Sequence, residues 1–220
     1  MSTRTNSTIA GRITCSTSPS QSKAFQSEIK RIGIPVDYER NIEIYAEGDP
    51  AESLYQVISG TVRSYKLLDD GRRQIGAFYF PGDIFGLEAG TEHTFAAEAI
   101  VDSKLLVIRR NSFTALAAHN NNVAHQLWTL SATEVRRAQD HATVLIMNAE
   151  ERVLGFLHEM AKRSPGAAEI DLPMSRGDIA DYLGLTVETI SRTFKQLERS
   201  ASIALPTARH IVLRHHAALG

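Results

Sequence analysis

The stretch SRGDIADYLGLTVETISRTFKQLER, Ser175 to Arg199, decides the fold. Its pattern predicts two helices around a tight turn. Ser175 followed three residues later by Asp178 is a helix start of the capping-box kind, with Asp in place of the usual Glu or Gln. Ile179, Ala180 and Leu183 give the first helix a short apolar face. Gly184 stops it, because glycine enters the left-handed conformation of a helix C-cap at little cost. Leu185 plugs the corner. Thr186 is the expected cap of the second helix, and Glu188 in its first turn suits the helix dipole.

The second helix has two faces. Ile190, Phe194 and Leu197 recur at +4 and +3 and point inward. Glu188, Ser191 and Arg192 recur at +3 and +4 and share an outward face near the N-terminal end. A helix-turn-helix puts that end in the major groove. The residue types suit base reading. Arg is bidentate to guanine O6 and N7, Glu accepts from cytosine N4, and Ser is adaptable. On an ordinary helix the same residues are a solvated Glu–Arg pair worth about 0.2–0.5 kcal/mol. The caps, the turn and the two-helix spacing favour DNA.

Val187-Glu188-Thr189-Ile190-Ser191-Arg192 resembles the recognition helix of the CRP/FNR superfamily, in the FNR branch with its E-x-x-S-R pattern. Upstream, Glu134 to His141 (EVRRAQDH) and Ala149 to Val153 (AEERV) resemble the FixK-type subgroup. Gly82 to Gly86 (GDIFG) is similar to the superfamily's sensor-domain signature. These matches span most of residues 25–220. The resemblance implies an α+β chain with a cyclic-nucleotide-binding-type β-roll, a long dimerisation helix and a C-terminal winged helix-turn-helix. The expected division is a disordered tail at 1–24, the roll at 25–118, the dimerisation helix at 119–147 and the DNA-binding domain at 148–220.

A two-fold dimer presents its recognition helices about one duplex turn apart, roughly 34 Å, so half-site centres should lie about 10 bp apart. The resemblance implies the palindrome TTGA-N6-TCAA, which agrees with that spacing. On matched motif positions, Glu188 and Arg192 would read the inner C·G pair. Ser191 would meet a thymine-side edge and Val187 a thymine methyl. Ser175, Thr186 and Arg209 are candidates for phosphate contact. The FNR branch also touches RNA polymerase through a roll loop, which points to Asp69, Asp70 and Arg72. From the residues alone that tip is equally a solvated turn.

Composition fits two modest domains: 220 residues, 43% hydrophobic and 22% charged. The net charge of −1 gives no overall basic field. Residues 175–220 carry six cations against four acids, a mild bias of +2 suited to phosphates. No run of about 18 apolar residues exists and no apolar core follows Met1, so a cytoplasmic protein without a membrane anchor is expected. Residues 1–24 are Ser/Thr-rich with three cations and no acid, hence the expected disorder. The single Cys15 excludes an intrachain disulfide framework. It also excludes an iron–sulfur cluster held by four thiolates of one chain.

Residues 25–110 read as β-rich. Apolar alternation runs through Leu54–Ile58, Val62–Leu68 and Ile75–Phe80, and Asp70-Gly71 is a strong hairpin cue. Cyclic-nucleotide binders of the family use an Arg-Ser or Arg-Thr pair after the F-G-E turn. Here Phe85-Gly86-Leu87-Glu88 begins similarly, yet no Lys or Arg occurs from Gly86 through Ser103. Without that cation the charge-assisted phosphate bonds are lost, so no cyclic nucleotide is expected. The histidines show no ligand clustering, so no metal is expected either. No catalytic signature stands out. The rival reading is a ligand-binding signalling module of cyclic-nucleotide sensor type.

Helical signals follow. Asn111-Ser112 is expected to cap a short helix carrying Phe113 and Leu116. A longer one, Asn122 to Met147, carries Leu127, Ser131, Val135, Ala138, Ala142 and Leu145 at 3/4 spacing. Small residues on such a seam let two helices approach closely. The seam fits a second subunit or the chain's own roll. Asn148 and Glu151 make a further cap, and the helix behind them buries Val153, Phe156, Leu157 and Met160. Ile203–Leu205 and His210–Leu213 read as the strands of a wing around Pro206 to Arg209. The family commonly has Gly where Ala201 stands, and Pro206 is unexpected in the wing turn.

Overall fold

A computed structural model describes residues 19–164 and 168–214. Cys15 therefore lies outside the described residues. Helix α1 (Pro19–Ile32) opens the fold. It begins inside the stretch expected to be a disordered tail. It forms because Phe25 and Ile29, four apart on one face, are buried against Phe113 and the sheet behind it.

Eight strands follow: β1 (Gly33–Tyr38), β2 (Glu43–Tyr45), β3 (Ser53–Ser59), β4 (Val62–Leu67), β5 (Arg73–Tyr79), β6 (Ile84–Phe85), β7 (Ala96–Ala99) and β8 (Ser103–Arg109). They form two four-stranded sheets, ordered β1-β8-β3-β6 and β2-β7-β4-β5, with every pairing antiparallel. The inner faces enclose Tyr45, Tyr55, Val57, Val62, Tyr79, Phe85 and Leu105. Leu54, Ile84, Leu106 and Ile108 alternate with these on the other face of the first sheet, under the helices. That two-sided burial explains the near-continuous apolar runs of β3 and β8. The β4–β5 hairpin falls where Asp70-Gly71 predicts it, with Gly71 at φ +81°.

Three helices run on from the roll: α2 (Arg110–His119), α3 (Asn121–Val144) and α4 (Ala149–Arg163). Asn111 and Ser112 do not cap α2. They sit in its first turn, and Arg109 precedes it with no side-chain capping bond. Asn120 caps α3 instead, accepting from the N–H groups of Asn122 and Val123. Helix α3 ends at Val144, and Leu145 to Met147 form a turn before the Asn148–Glu151 capping box of α4. Arg152 pins that turn by donating to the carbonyls of Met147 and Leu183, both at 2.8 Å.

The last part holds α5 (Arg176–Leu183), α6 (Val187–Arg199) and a small sheet ordered β10 (Ile203–Ala204), β11 (His210–Leu213), β9 (Glu169–Asp171). The two wing strands match expectation, whereas β9 gives too short a pattern to read. This head does not stand apart from the roll. Ile75, Phe78 and Ile100 join the apolar cluster that holds Phe156, Leu157, Ile179, Ile190 and Phe194. Beside that seam, Arg63 of β4 reaches Asp178 at 2.6 Å and Glu98 at 2.9 Å. Arg73 of β5 reaches both Asp178 and Asp181 at 2.7 Å.

Candidate nucleic-acid interface

The geometry of the two-helix unit follows from its caps. Ser175 Oγ accepts from the Asp178 N–H, and the Asp178 carboxylate accepts from the Ser175 N–H and hydroxyl. Gly184 sits at φ 62° and ψ 40°, the left-handed C-cap. Thr186 Oγ1 accepts from the Thr189 N–H and starts α6. Ile190, Phe194 and Leu197 are buried, so the opposite face must look outward.

That outward face carries Glu188, Ser191 and Arg192, all exposed, with Val187 43% exposed beside them. Ser191 donates its hydroxyl to the Val187 carbonyl at 2.8 Å, leaving the oxygen's lone pairs outward. The Glu188 carboxyl is held below its ordinary range. Its own backbone N–H contributes most, followed by the Thr186 side chain, with a smaller pull from Arg192. A charged acceptor and a charged donor thus stand one turn apart at the positive end of a helix. The four residues expected to read bases are brought together on one exposed end.

Among the phosphate candidates, Ser175 and Thr186 are exposed at the starts of α5 and α6, and Arg209 is exposed at the foot of the wing. Thr207 Oγ1 closes the wing turn by accepting from the N–H groups of Arg209 and His210. Pro206 fits there, on an exposed bend outside the strand pairing. Ala201 takes the conformation its position demands, φ +56°.

Sequence reasoning missed Arg176. Its guanidinium lies 3.4 Å from the Phe194 ring centroid and donates to the Ala208 carbonyl at 3.0 Å. Burial pushes its pKa down to about 10. It joins the first helix, the recognition helix and the wing. The available signal was an Arg at the first helical position, opposite an aromatic in the second helix.

The seam on α3 needs one correction. Leu127 packs with Leu130 on the chain's own cluster under the roll. The residue that faces out is Trp128, 73% exposed. Val135 is 58% exposed, and Ser131, Ala138 and Ala142 are not buried either. Trp128, Val135 and Ala142 repeat every seven residues, as do Ser131, Ala138 and Leu145, which is the a/d pattern of a helix pair. Leu145 is half-buried, and a methyl added at Gly184 would lie 3.4 Å from its Cδ2. Part of that side chain therefore serves the chain's own head. At the hairpin tip, Asp69, Asp70 and Arg72 are exposed, and Asp70 accepts from the Arg72 backbone and guanidinium.

Segment 86–103, free of cations, borrows one from outside. Arg110 donates to the carbonyls of Ala51, Glu88 and Gly90. That guanidinium is occupied by backbone. Among the described residues no cluster of three metal-ligating side chains occurs, and no helix is long and apolar enough to cross a membrane.

Comparison with known proteins agrees with this architecture. Residues 35–120 match the cyclic nucleotide-binding domain family and residues 151–220 match the Crp-like helix-turn-helix domain. The nitrogen fixation regulation protein FixK of Azorhizobium caulinodans is 44% identical over 197 residues, covering 87% of this chain and 79% of that protein. The transcriptional activatory protein AadR of Rhodopseudomonas palustris is 36% identical over 187 residues, covering 83% and 78%. The solved structure of FixK2 from Bradyrhizobium japonicum superposes with a TM-score of 0.80 at 50% identity, covering 84% of this chain and 93% of that one. With the roll, the long helix and the capped helix-turn-helix in place, the chain belongs to the CRP/FNR family of DNA-binding transcription regulators, among its FixK-like members.

Proposed function

We propose that this regulator acts as a homodimer on a TTGA-N6-TCAA-like palindrome, activates transcription there, and needs neither a cyclic nucleotide nor an iron–sulfur cluster. One observation carries the reading: Glu188, Ser191 and Arg192 stand exposed at the capped front of α6. Glu188 and Arg192 read the inner C·G pair, Ser191 a thymine-side edge and Val187 a thymine methyl. Ser175, Thr186 and Arg209 hold phosphates. The exposed a/d seam of α3 supports dimerisation, since a Trp and a Val left in water on one stripe ask for a partner. Val135, Ala138 and Ala142 form its middle, with Trp128 at one end and the half-buried Leu145, in the turn just past the helix, at the other.

Activation goes through Asp69, Asp70 and Arg72, which meet RNA polymerase. The name of the AadR relative supports an activator. A charge reversal at Asp69 should leave DNA affinity intact and abolish transcription; unaltered transcription removes that contact. The protein works by binding, not catalysis, and does so in the cytoplasm. The test of the whole reading is a gel shift of the purified protein, without added ligand, on the palindrome and on scrambled half-sites. Binding only to the palindrome is expected. Equal binding to both would refute the site.

The ligand-sensor reading has one observation in its favour, a cavity of about 820 Å³ between β5, α3 and α4. Phe78, Phe95, Phe156 and Tyr182 line it, so an occupant would touch roll and head together. Of its cations, Arg137 and Arg163 are both tied to Asp83 at 2.8 Å, while Lys162 lies at its exposed rim. Titration with cAMP or cGMP should leave the melting temperature unchanged. A rise of several degrees, as tight binding to the folded state gives, would favour the sensor.

A further inference from the structure

We propose that Arg73, by gripping Asp178 and Asp181 of α5 from the roll, is a positioning residue that fixes which half-site spacing the regulator accepts. This rests on the palindrome-binding dimer described above and goes further, assigning spacing to a residue far from the bases.

Besides the ties of Arg163 to Asp83, of His141 to the Tyr182 carbonyl and of Arg152 to the Leu183 carbonyl, the head meets the roll's β4–β5 side in two ways. One is apolar: Ile75, Phe78 and Ile100 against the core of the head. Apolar burial is non-directional, so by itself it permits sliding and rotation. The other is a set of guanidinium forks, which are directional. Arg73 Nε donates to Asp181 at 2.8 Å and Nη2 to Asp178 at 2.7 Å. These two acids are three residues apart on α5, so they lie on one face of it. Holding both from one planar group fixes the rotation of α5 about its own axis. Arg63 adds a second fork, with one arm on Asp178 and the other on Glu98 of β7. Gln74 donates to the Tyr182 carbonyl at 3.3 Å, on the same side of the helix.

Partly buried ion pairs of this kind add little net stability, because desolvation offsets their attraction; the directionality of the guanidinium is what favours one arrangement here. Asp178 is only 5% exposed, and the arrangement they specify is the pose of the head. Because α6 follows α5 after a short turn, that pose sets where the reading face points. In a two-fold dimer it therefore sets the distance and rotation between the two reading faces. Adding one base pair between half-sites moves them apart by roughly 3.4 Å and rotates them by about 35°. A clamped head rejects that displacement and a loosened head follows it.

The experiment uses the full-length protein on TTGA-Nx-TCAA duplexes with five, six or seven central base pairs. The variants are Arg73→Met and, from the head side of the same grip, Asp181→Asn. Both sites are partly solvated, and Asp178 keeps Arg63 and Ser175 in each. Wild type should favour six base pairs by roughly tenfold or more, the scale of one misplaced base contact. Both variants should shrink that ratio severalfold while keeping their preference for TTGA over a scrambled half-site. A uniform loss at all three spacings, or an unchanged ratio in a variant that melts like wild type, overturns the inference while leaving the proposed function standing. Failure of wild type to bind any of the duplexes would overturn both.

Discussion

Replacing Ala201 by Gly should stabilise this protein, and the magnitude can be worked from its backbone. Helix α6 ends with Ser200 as C-cap, followed by Ala201 at φ +56°. The Ser202 N–H donates to the Leu197 carbonyl and the Ala201 N–H to the Glu198 carbonyl, both at 3.0 Å. Those two bonds are the Schellman arrangement, whose left-handed position is normally Gly. An L-residue held there costs about 1–2 kcal/mol. Glycine removes that strain but loses more backbone freedom on folding, about 0.5–1 kcal/mol. Ala201 is exposed, so no packing is lost with its methyl. The net gain is about 0.5–1 kcal/mol, which for a chain of this size raises the melting temperature by roughly 2–4 °C per kcal/mol. Thermal denaturation followed by circular dichroism measures it. Ala201→Val should do the reverse, because a β-branched side chain at positive φ is a steric outlier. A melting temperature that is unchanged or lower in Ala201→Gly would refute the strain argument.

Three further outcomes are expected. Arg192→Ala should cost about 1–3 kcal/mol and relax choice at a single base pair, measured by anisotropy on half-site variants; equal loss on every sequence would make Arg192 a phosphate contact. Val135→Asp should turn dimers into monomers in sedimentation. Trp128 is the chain's single tryptophan, so its emission should shift to the red in that variant, and an unmoved spectrum would take it out of the seam. Acid should loosen the head. Burial opposes ionisation of Asp178, but the Ser175 hydrogen bonds and the Arg63 and Arg73 charges outweigh it, and its pKa falls below the ordinary 3.8. A depressed folded-state value means stability that is present above 3.8 and drains away as pH drops through the lower, folded value. Asp178→Asn should flatten the acid limb of a stability-against-pH curve below about pH 4; a limb as steep as wild type would show that other carboxylates carry it.

How much was legible follows the range of the interactions. The two capping boxes, the Gly184 stop, the Thr186 cap and the β4–β5 hairpin all stand in the folded chain where their residues place them. Each is decided by hydrogen bonds within three or four residues. The inward face of α6 was legible too, because one helix with a strong period has only one way to bury it. Helix α3 was harder. Leu127 and Trp128 are neighbours, and a 3/4 stripe accepts either. Only the position of Phe113 and Val123 beneath the roll turns Leu127 inward and leaves Trp128 out.

The sequence by itself determined the reading head: which residues end its helices, which face is apolar, and which acid, hydroxyl and guanidinium share the exposed end. Those choices are local, and the backbone's need to satisfy its own donors and acceptors enforces them. Tertiary structure alone decided that the head is bound to the roll. Arg63 and Arg73 meet Asp178 across 115 and 105 residues of chain. In the sequence these are ordinary surface charges. Burial between two folded surfaces makes them directional, because there the Asp178 carboxylate is shut off from water and requires a guanidinium in one orientation.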